Sequence, residues 1–252
     1  MSLWSELTSK HSYVSVNGGA FCIGIPTVNR KDLLVENLAD LAVNTNKVNL
    51  DRVIIVDNGQ QNVHDIVPPD LEDKTTIFTE KTNLGVSGSW NKMLDYCFKE
   101  SVADHVTLVN DDVVLGIECL QAIEKAIIER PDVFVINGPY YWSCVTISRD
   151  CWNTIGKFDE NFYPAYFEDN DYAQRLNCYK NHVDTDKIMY EVVPEIYPEV
   201  RRNSETIKID PSFNQGYHTN AVYFQDKWGG NVHHPRYATP FNKGGEEPWR
   251  IK

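Results

Sequence analysis

Short β-rich apolar runs alternate along this chain with stretches whose apolar residues recur at helical spacing, and that alternation restricts the fold more than any other feature. Phe21 to Ile25 and Arg52 to Val56 are two such runs, ending at the turn-type residues Pro26-Thr27 and Asp57-Asn58-Gly59. Both read as buried parallel strands. Between them Leu34, Leu38, Leu41 and Ala42 fall on one helical face, which gives a strand–helix–strand unit. Thr75 to Thr79 predicts a third strand, and Val86, Trp90, Met93, Leu94 and Cys97 mark one face of a helix beginning near Gly85. His105 to Val109 is a strand running into acid. A helix with Leu120, Ile123 and Ile127 on one face follows, then strand-like stretches at Val133 to Ile136 and Ser143 to Ile147. The expected class is α/β, a mostly parallel sheet flanked by helices. After about Asn181 the pattern changes to proline-interrupted, tyrosine-rich segments with glycine pairs at Gly229-Gly230 and Gly244-Gly245, an irregular C-terminal region. The stretch from His234 reads as a tail, wrapping or mobile.

Length allows one large domain, or one domain with an appended subregion, in 252 residues. No run reaches the ~18 apolar residues of a membrane helix, and Met1 to Lys10 lacks the basic-then-apolar pattern of a secretory signal. The expectation is a soluble, cytoplasmic protein without a transmembrane segment. Six scattered cysteines, with no C-x-x-C pair, read as buried thiols in a reducing compartment. Thirty-six acidic residues against 24 basic ones, a net charge of −12, argue against nucleic acid as a partner. Acid gathered at a site would suit a metal cation.

Ligands of open α/β sheets bind beyond the carboxyl ends of the strands. Three such ends carry polar clusters: Pro26-Thr27-Val28-Asn29-Arg30, Asp57-Asn58-Gly59 and Asn110-Asp111-Asp112. Each alone is also what an ordinary turn looks like; together they predict a binding crevice. No G-x-G-x-x-G follows the first strand and no G-x-x-x-x-G-K-[ST] occurs, so neither backbone cradle for a diphosphate is present. A divalent ion held by carboxylates is the natural substitute, since Mn²⁺ and Mg²⁺ prefer oxygen ligands and bridge carboxylate to phosphate. Asp112 is the expected metal ligand, with Asp111 accepting hydrogen bonds beside it; a helix cap followed by a solvated turn is the alternative.

Four segments occur in order: Ile23-Gly24-Ile25-Pro26-Thr27-Val28-Asn29-Arg30, Val56-Asp57-Asn58-Gly59, Asn83-Leu84-Gly85-Val86-Ser87-Gly88-Ser89-Trp90-Asn91 and Val109-Asn110-Asp111-Asp112. A fifth runs from Phe158-Asp159-Glu160 through Tyr166-Phe167-Glu168-Asp169-Asn170-Asp171. This ordered set, over roughly residues 20 to 180, resembles a family-2-type glycosyltransferase with the GT-A (Rossmann-like) fold. The resemblance implies a single GT-A-like domain over 1–252. A nucleotide-sugar-binding half would take about 20–115, an acceptor and catalytic half about 116–230, and a C-terminal tail 231–252. It places Thr27 and Asp57 at the nucleotide base, Asn83, Gly85 and Asn91 on the nucleoside and phosphate side, and Asp111 with Asp112 in the metal motif. For Asn83 and Ser87 helix capping is the competing reading.

Among Glu168-Asp169-Asn170-Asp171 the resemblance makes Asp169 the base and Glu168 its neighbour; crowded acids raise one another's pKa, which suits a base. Asp171 and Arg175, four apart on a predicted helix, also read as an ordinary first-turn surface pair. Relatives often supply a downstream histidine to the metal where this chain has Val200-Arg201-Arg202-Asn203-Ser204-Glu205-Thr206. Arginine cannot ligate metal but can neutralise a diphosphate. His218 is then a candidate second metal ligand, with His233 and His234 behind it. The expected reaction moves a sugar, with inversion, from a UDP-, GDP- or dTDP-linked donor to a hydroxyl of a carbohydrate acceptor, with Mn²⁺ or Mg²⁺. Tyr217, Tyr223, Trp228 and Tyr237 could stack on that acceptor or be core. A sugar-phosphate nucleotidyltransferase and a non-catalytic carbohydrate-binding protein of the same fold are the alternatives.

Overall fold

The computed structural model describes residues 18–200 and 214–252. The first half alternates as the periodicity predicts: β1 (Phe21–Thr27), α1 (Lys31–Asn44), β2 (Leu50–Asp57), a single turn α2 (Pro69–Glu72), β3 (Thr75–Thr79), α3 (Gly85–Glu100) and β4 (His105–Val109). After it come β5 (Val113–Val114), α4 (Ile117–Glu129), β6 (Val133–Asn137), β7 (Cys144–Ser148), α5 (Arg149–Ile155), α6 (Glu168–His182), β8 (Ile188–Val192), β9 (Glu199–Val200) and α7 (Gln215–Trp228). The main sheet has seven strands in the order β3-β2-β1-β4-β7-β6-β8.

Four of its pairings are parallel; β7 alone runs antiparallel to its neighbours β4 and β6. Because β6 reverses β7, it points the same way as β4, and β8 follows it. Six strands therefore end on one edge.

Alternation along β1 sorts its side chains between two cores, as the two-residue period of a strand requires. Phe21, Ile23 and Ile25 pack with Leu34, Leu38 and Leu41 of α1 and with Leu120, Ile123 and Ile127 of α4. Cys22 faces the other side, where Trp90, Met93 and Leu94 of α3 meet Phe158, Tyr172 and Leu176. At ~25 cal/mol per Å² of apolar surface, these two layers supply most of the drive to fold. All six cysteines are buried and unpaired by disulfides, as the sequence predicts.

The C-terminal region differs from the expected irregular one. It contains the 14-residue helix α7, and residues 249–251 dock on the body: Ile251 bridges Gly156, Lys157 donates its N–H to the Ile251 carbonyl at 2.9 Å, and Trp249 is buried. Trp228 is core rather than an acceptor platform, fully buried with its indole N–H donating to Asp171 at 2.9 Å. The Asp171–Arg175 pair is likewise no surface pair. Both side chains are fully buried, bonded at 2.9 Å, because α7 covers this face of α6 and adds Lys227, 2.7 Å from Asp171. Among the described residues no helix is long and apolar enough to cross a membrane.

Candidate active site

The loops after β1 and β2 are stitched together at the sheet edge. Asn58 donates its N–H to the Thr27 carbonyl at 2.9 Å, and fully buried Asp57 closes the second turn on itself. Its Oδ1 accepts from the Gly59 N–H at 3.0 Å and the Gln61 side chain at 3.2 Å, while Oδ2 accepts from the Gln61 N–H at 2.8 Å. Three of the roughly four acceptor sites of a carboxylate are thereby filled, so a base imide would find about one. Gln61 also lies 3.5 Å from the Thr27 hydroxyl and accepts the Lys31 N–H at 2.7 Å, at the start of α1. Its role was not visible in the sequence, where it sits two residues past Gly59 with no pattern to single it out. Asn29 is exposed, with φ of +56°, a left-handed conformation asparagine tolerates; Pro26 is half-buried beside it.

The third cluster meets the first. Asp111 is buried against the Thr27 hydroxyl and the Val28 backbone, with Asp112 and the buried Arg30 close enough to act on it. Burial, the dominant cause, pushes its carboxyl up to about 7 despite those hydrogen bonds. Asp112 is half-buried, and Asn110 forms the turn itself: its N–H donates to the Ser143 carbonyl at 3.1 Å and its carbonyl accepts from Val113 at 3.2 Å. Arg30 also holds Asp32 through two hydrogen bonds of 3.0 and 2.9 Å.

The expected phosphate-side residues join the two halves of the chain. Asn83 accepts the Gly85 N–H at 2.8 Å in a local turn one residue before the helix cap, Leu84, which makes no side-chain capping bond. Asn58 links the same entry to the turn after β2, accepting the Leu84 N–H and donating to Ser89, each at 2.9 Å. Gly85 has φ of +69°, and a Cβ there would stand 2.7 Å from the Pro164 carbonyl oxygen, so no other residue fits. Asn91 is buried and clamps Phe158 through both its N–H and its carbonyl, at 2.7 and 3.0 Å, and reaches Glu160 at 2.8 Å. The Gly85 approach to Pro164 and the Asn91 bonds hold the segment that leads to the acids against α3.

That segment enters α6 on two successive left-handed residues, Tyr166 (φ +79°) and Phe167 (φ +73°). Non-glycine residues hold such a conformation only where surroundings over-determine it, at ~1–3 kcal/mol each. Here Asn220 of α7 donates to the carbonyls of Ala165 and Tyr166, at 2.8 and 3.1 Å, and Tyr217 packs on both rings. Asn220 lies outside every motif, and nothing in the sequence marks it. Glu168 is buried with Oε2 lacking a hydrogen-bond partner; burial, then the neighbouring Asp169, lifts its carboxyl to about 8. Asp169 accepts the Asn170 N–H at 2.7 Å, and burial raises its pKa too. Burial thus holds both acids at this helix start above the ordinary carboxylate range.

Among the described residues no three Cys, His, Asp or Glu side chains gather to hold a metal. His218 is exposed on α7, edge-on to Tyr217, and the arginine segment around Arg202 lies outside the described residues. Mg²⁺ and Mn²⁺ do not need such a group when phosphate and water complete the shell, and half-buried Asp112 beside a carboxyl that burial resists ionising fits that use.

Residues 22–183 match the family model described as glycosyl transferase family 2. The chain belongs to that family. No curated protein sequence matches it. Among solved structures, this family 2 chain is similar to the mannosyltransferase PcManGT from Pyrobaculum calidifontis, described in complex with GDP-Man and Mn²⁺. The TM-score is 0.56 at 15% identity, covering 80% of this chain and 64% of that one. It is similar also to S. aureus TarS 1-349 in complex with UDP-GlcNAc, with a TM-score of 0.54 at 16% identity over 82% of this chain and 67% of that one. The same TarS segment in complex with UDP gives 0.50 at 20% identity over 69% and 60%. These likenesses show the fold, GT-A in type, and the chain spans about two thirds or less of the structures it matches.

Proposed function

We propose that this family 2 chain is a metal-dependent glycosyltransferase that moves a sugar from a nucleotide-diphosphate donor to a hydroxyl of a carbohydrate acceptor, with inversion. The observation that carries the reading is the convergence of Thr27, Asp57 and Asp111 at one sheet edge, which also bears an acid pair of raised pKa. Nucleotide sugars bound to two structures of like fold, GDP-Man in one and UDP-GlcNAc in the other, support it. In this reading Thr27, Asp57, Asn58 and the loop from Pro26 to Arg30 receive the nucleotide. Asp112 would hold the ion, with Asn110 and Asp111 shaping its loop and His218 free to contribute from α7. The ion would supply charge neutralisation for the diphosphate.

Asp169 takes the proton of the attacking hydroxyl, and Glu168, its carboxyl lifted by burial to about 8, stands protonated beside it at neutral pH. Inversion needs one base and no enzyme nucleophile, which is all this reading assigns. The buried, unpaired thiols suit a reducing compartment such as the cytoplasm.

The test is a thermal-shift screen of UDP-, GDP- and dTDP-sugars with and without Mn²⁺. One of them is expected to raise the Tm by several degrees only when the ion is present. Absence of any metal-dependent stabilisation across the set rejects the reading.

A further inference from the structure

The turn from β6 to β7, Gly138-Pro139-Tyr140-Tyr141-Trp142-Ser143, stands on the same edge as the candidate site and is clamped on both sides. Asn110 donates to the Ser143 carbonyl at 3.1 Å, and Val193 donates to the Asn137 carbonyl at 2.7 Å. Gly138 runs so close to the turn after β8 that a Cβ would lie 1.7 Å from the Ile196 carbonyl oxygen. Trp142 points inward, its ring 6.0 Å from Tyr172 and 6.3 Å from Tyr190.

The tyrosines point outward. Tyr140 and Tyr197 pair across the two turns, with ring centroids 5.0 Å and hydroxyls 2.7 Å apart. Tyr141 is 59% exposed and Tyr197 62%. Tyr141 is also left-handed, with φ of +51°, a costly conformation for a bulky residue that puts a large ring into water. Core packing explains none of this; an exposed aromatic cluster on a rigid base is what a binding surface requires.

Three observations select the occupant. The cluster is continuous with the acids: Tyr190, whose hydroxyl bonds Asn137, feels both Asp169 and Tyr141. Acids outnumber bases around it: Glu195 is exposed beside Tyr197 and Asp169 lies behind, while Arg130, which also feels Glu195, is already paired with Glu191. A phosphate- or carboxylate-bearing partner would meet like charge there. Finally, tyrosine offers a rigid ring with a negative face and a hydroxyl at its edge. That matches a pyranose, which shows C–H groups on its face and hydroxyls around its rim.

We propose that Tyr140, Tyr141 and Tyr197 form a stacking subsite for a neutral oligosaccharide acceptor, seating a sugar residue next to the one whose hydroxyl reacts. This rests on the glycosyl-transfer reading and names its acceptor class. It also moves the stacking surface from the C-terminal rings to the turns after β6 and β8.

The test is calorimetric titration, without nucleotide, of neutral gluco-, manno- and chito-oligosaccharides of one to six residues into the full chain and into Tyr141→Asn/Tyr197→Ala. Asparagine keeps the left-handed backbone, and both positions are exposed, so the variant folds. At least one series is expected to bind more tightly as it lengthens beyond a monosaccharide, and at least tenfold more weakly to the variant, with nucleotide-sugar stabilisation unchanged. No binding by any series, or equal binding by the variant, overturns the proposal. So does conversion of a dimer to a monomer by the variant in sedimentation, which would put a second copy on the patch. A failed nucleotide-sugar screen beside intact oligosaccharide binding rejects the donor reading alone.

Discussion

Glu168 and Asp169 are neighbours in sequence with different surroundings. Glu168 lies under the segment that Asn220 holds and its carboxyl is raised to about 8, while Asp169 accepts the Asn170 N–H and burial raises its carboxyl as well. In the proposed mechanism Asp169→Asn removes the base and leaves the donor loops untouched. Transfer is expected to fall by roughly 10²–10⁴-fold while nucleotide-sugar thermal shifts stay within error; unchanged turnover would remove Asp169 from the role. For Glu168 the folded value lies above the ordinary 4.5, so its stabilising contribution is complete below about 4.5 and is lost as pH rises towards 8. Glu168→Gln, which cannot ionise, is expected to flatten the decline in Tm across that window by several degrees. Parallel curves for the two proteins would contradict the assignment. Which residues carry acid was legible in the chain, since the cluster stands out from its surroundings. The Asp171–Arg175 pair was legible too, from its spacing of four, but its burial under Lys227 and Trp228 was not, because Trp228 lies 57 residues from Asp171.

Helix α7 acts on α6 in two places. Through Lys227 it completes a buried charge cluster with Asp159, at 2.6 Å, and Asp171, at 2.7 Å, to which Tyr223 adds a hydroxyl on Asp159 at 2.9 Å. Lys227→Met leaves two buried carboxylates short of a cation, and removing one partner of a buried pair costs about 3–5 kcal/mol. A Tm drop of roughly 6–20 °C follows at ~2–4 °C per kcal/mol; a Tm within 2 °C or so of the parent would show that the cluster contributes little. Through Asn220 the helix secures the left-handed pair before Glu168. Asn220→Ala leaves the Ala165 and Tyr166 carbonyls unbonded at ~1–3 kcal/mol. Transfer is expected to fall at least tenfold with donor stabilisation preserved, and equal loss of both would mean general unfolding instead. Periodicity located α1, α3 and α4, whose apolar stripes are clean. It missed α7, where Asn220 and Lys227 are buried polar residues on the inward face and blur the stripe.

Over the whole molecule, β1, β2 and β4 were readable because each is a largely apolar run ending in turn residues, and β3 because its threonines, Ile77 and Phe78 are strand-formers. The direction of β7 was not, since apolar content is the same whichever way a buried strand runs; nor was β8, whose alternating exposure makes it a weak signal at the sheet's edge. Yet the lone reversed strand has a consequence for dimensions. With β7 running backwards, the ends of β2, β1, β4, β6 and β8 open on one side along five strand spacings of about 4.8 Å, a mouth roughly 24 Å wide. A nucleotide at the β2 end and a chain of several sugars at the β8 end could lie abreast in it, without either having to leave for the other to enter.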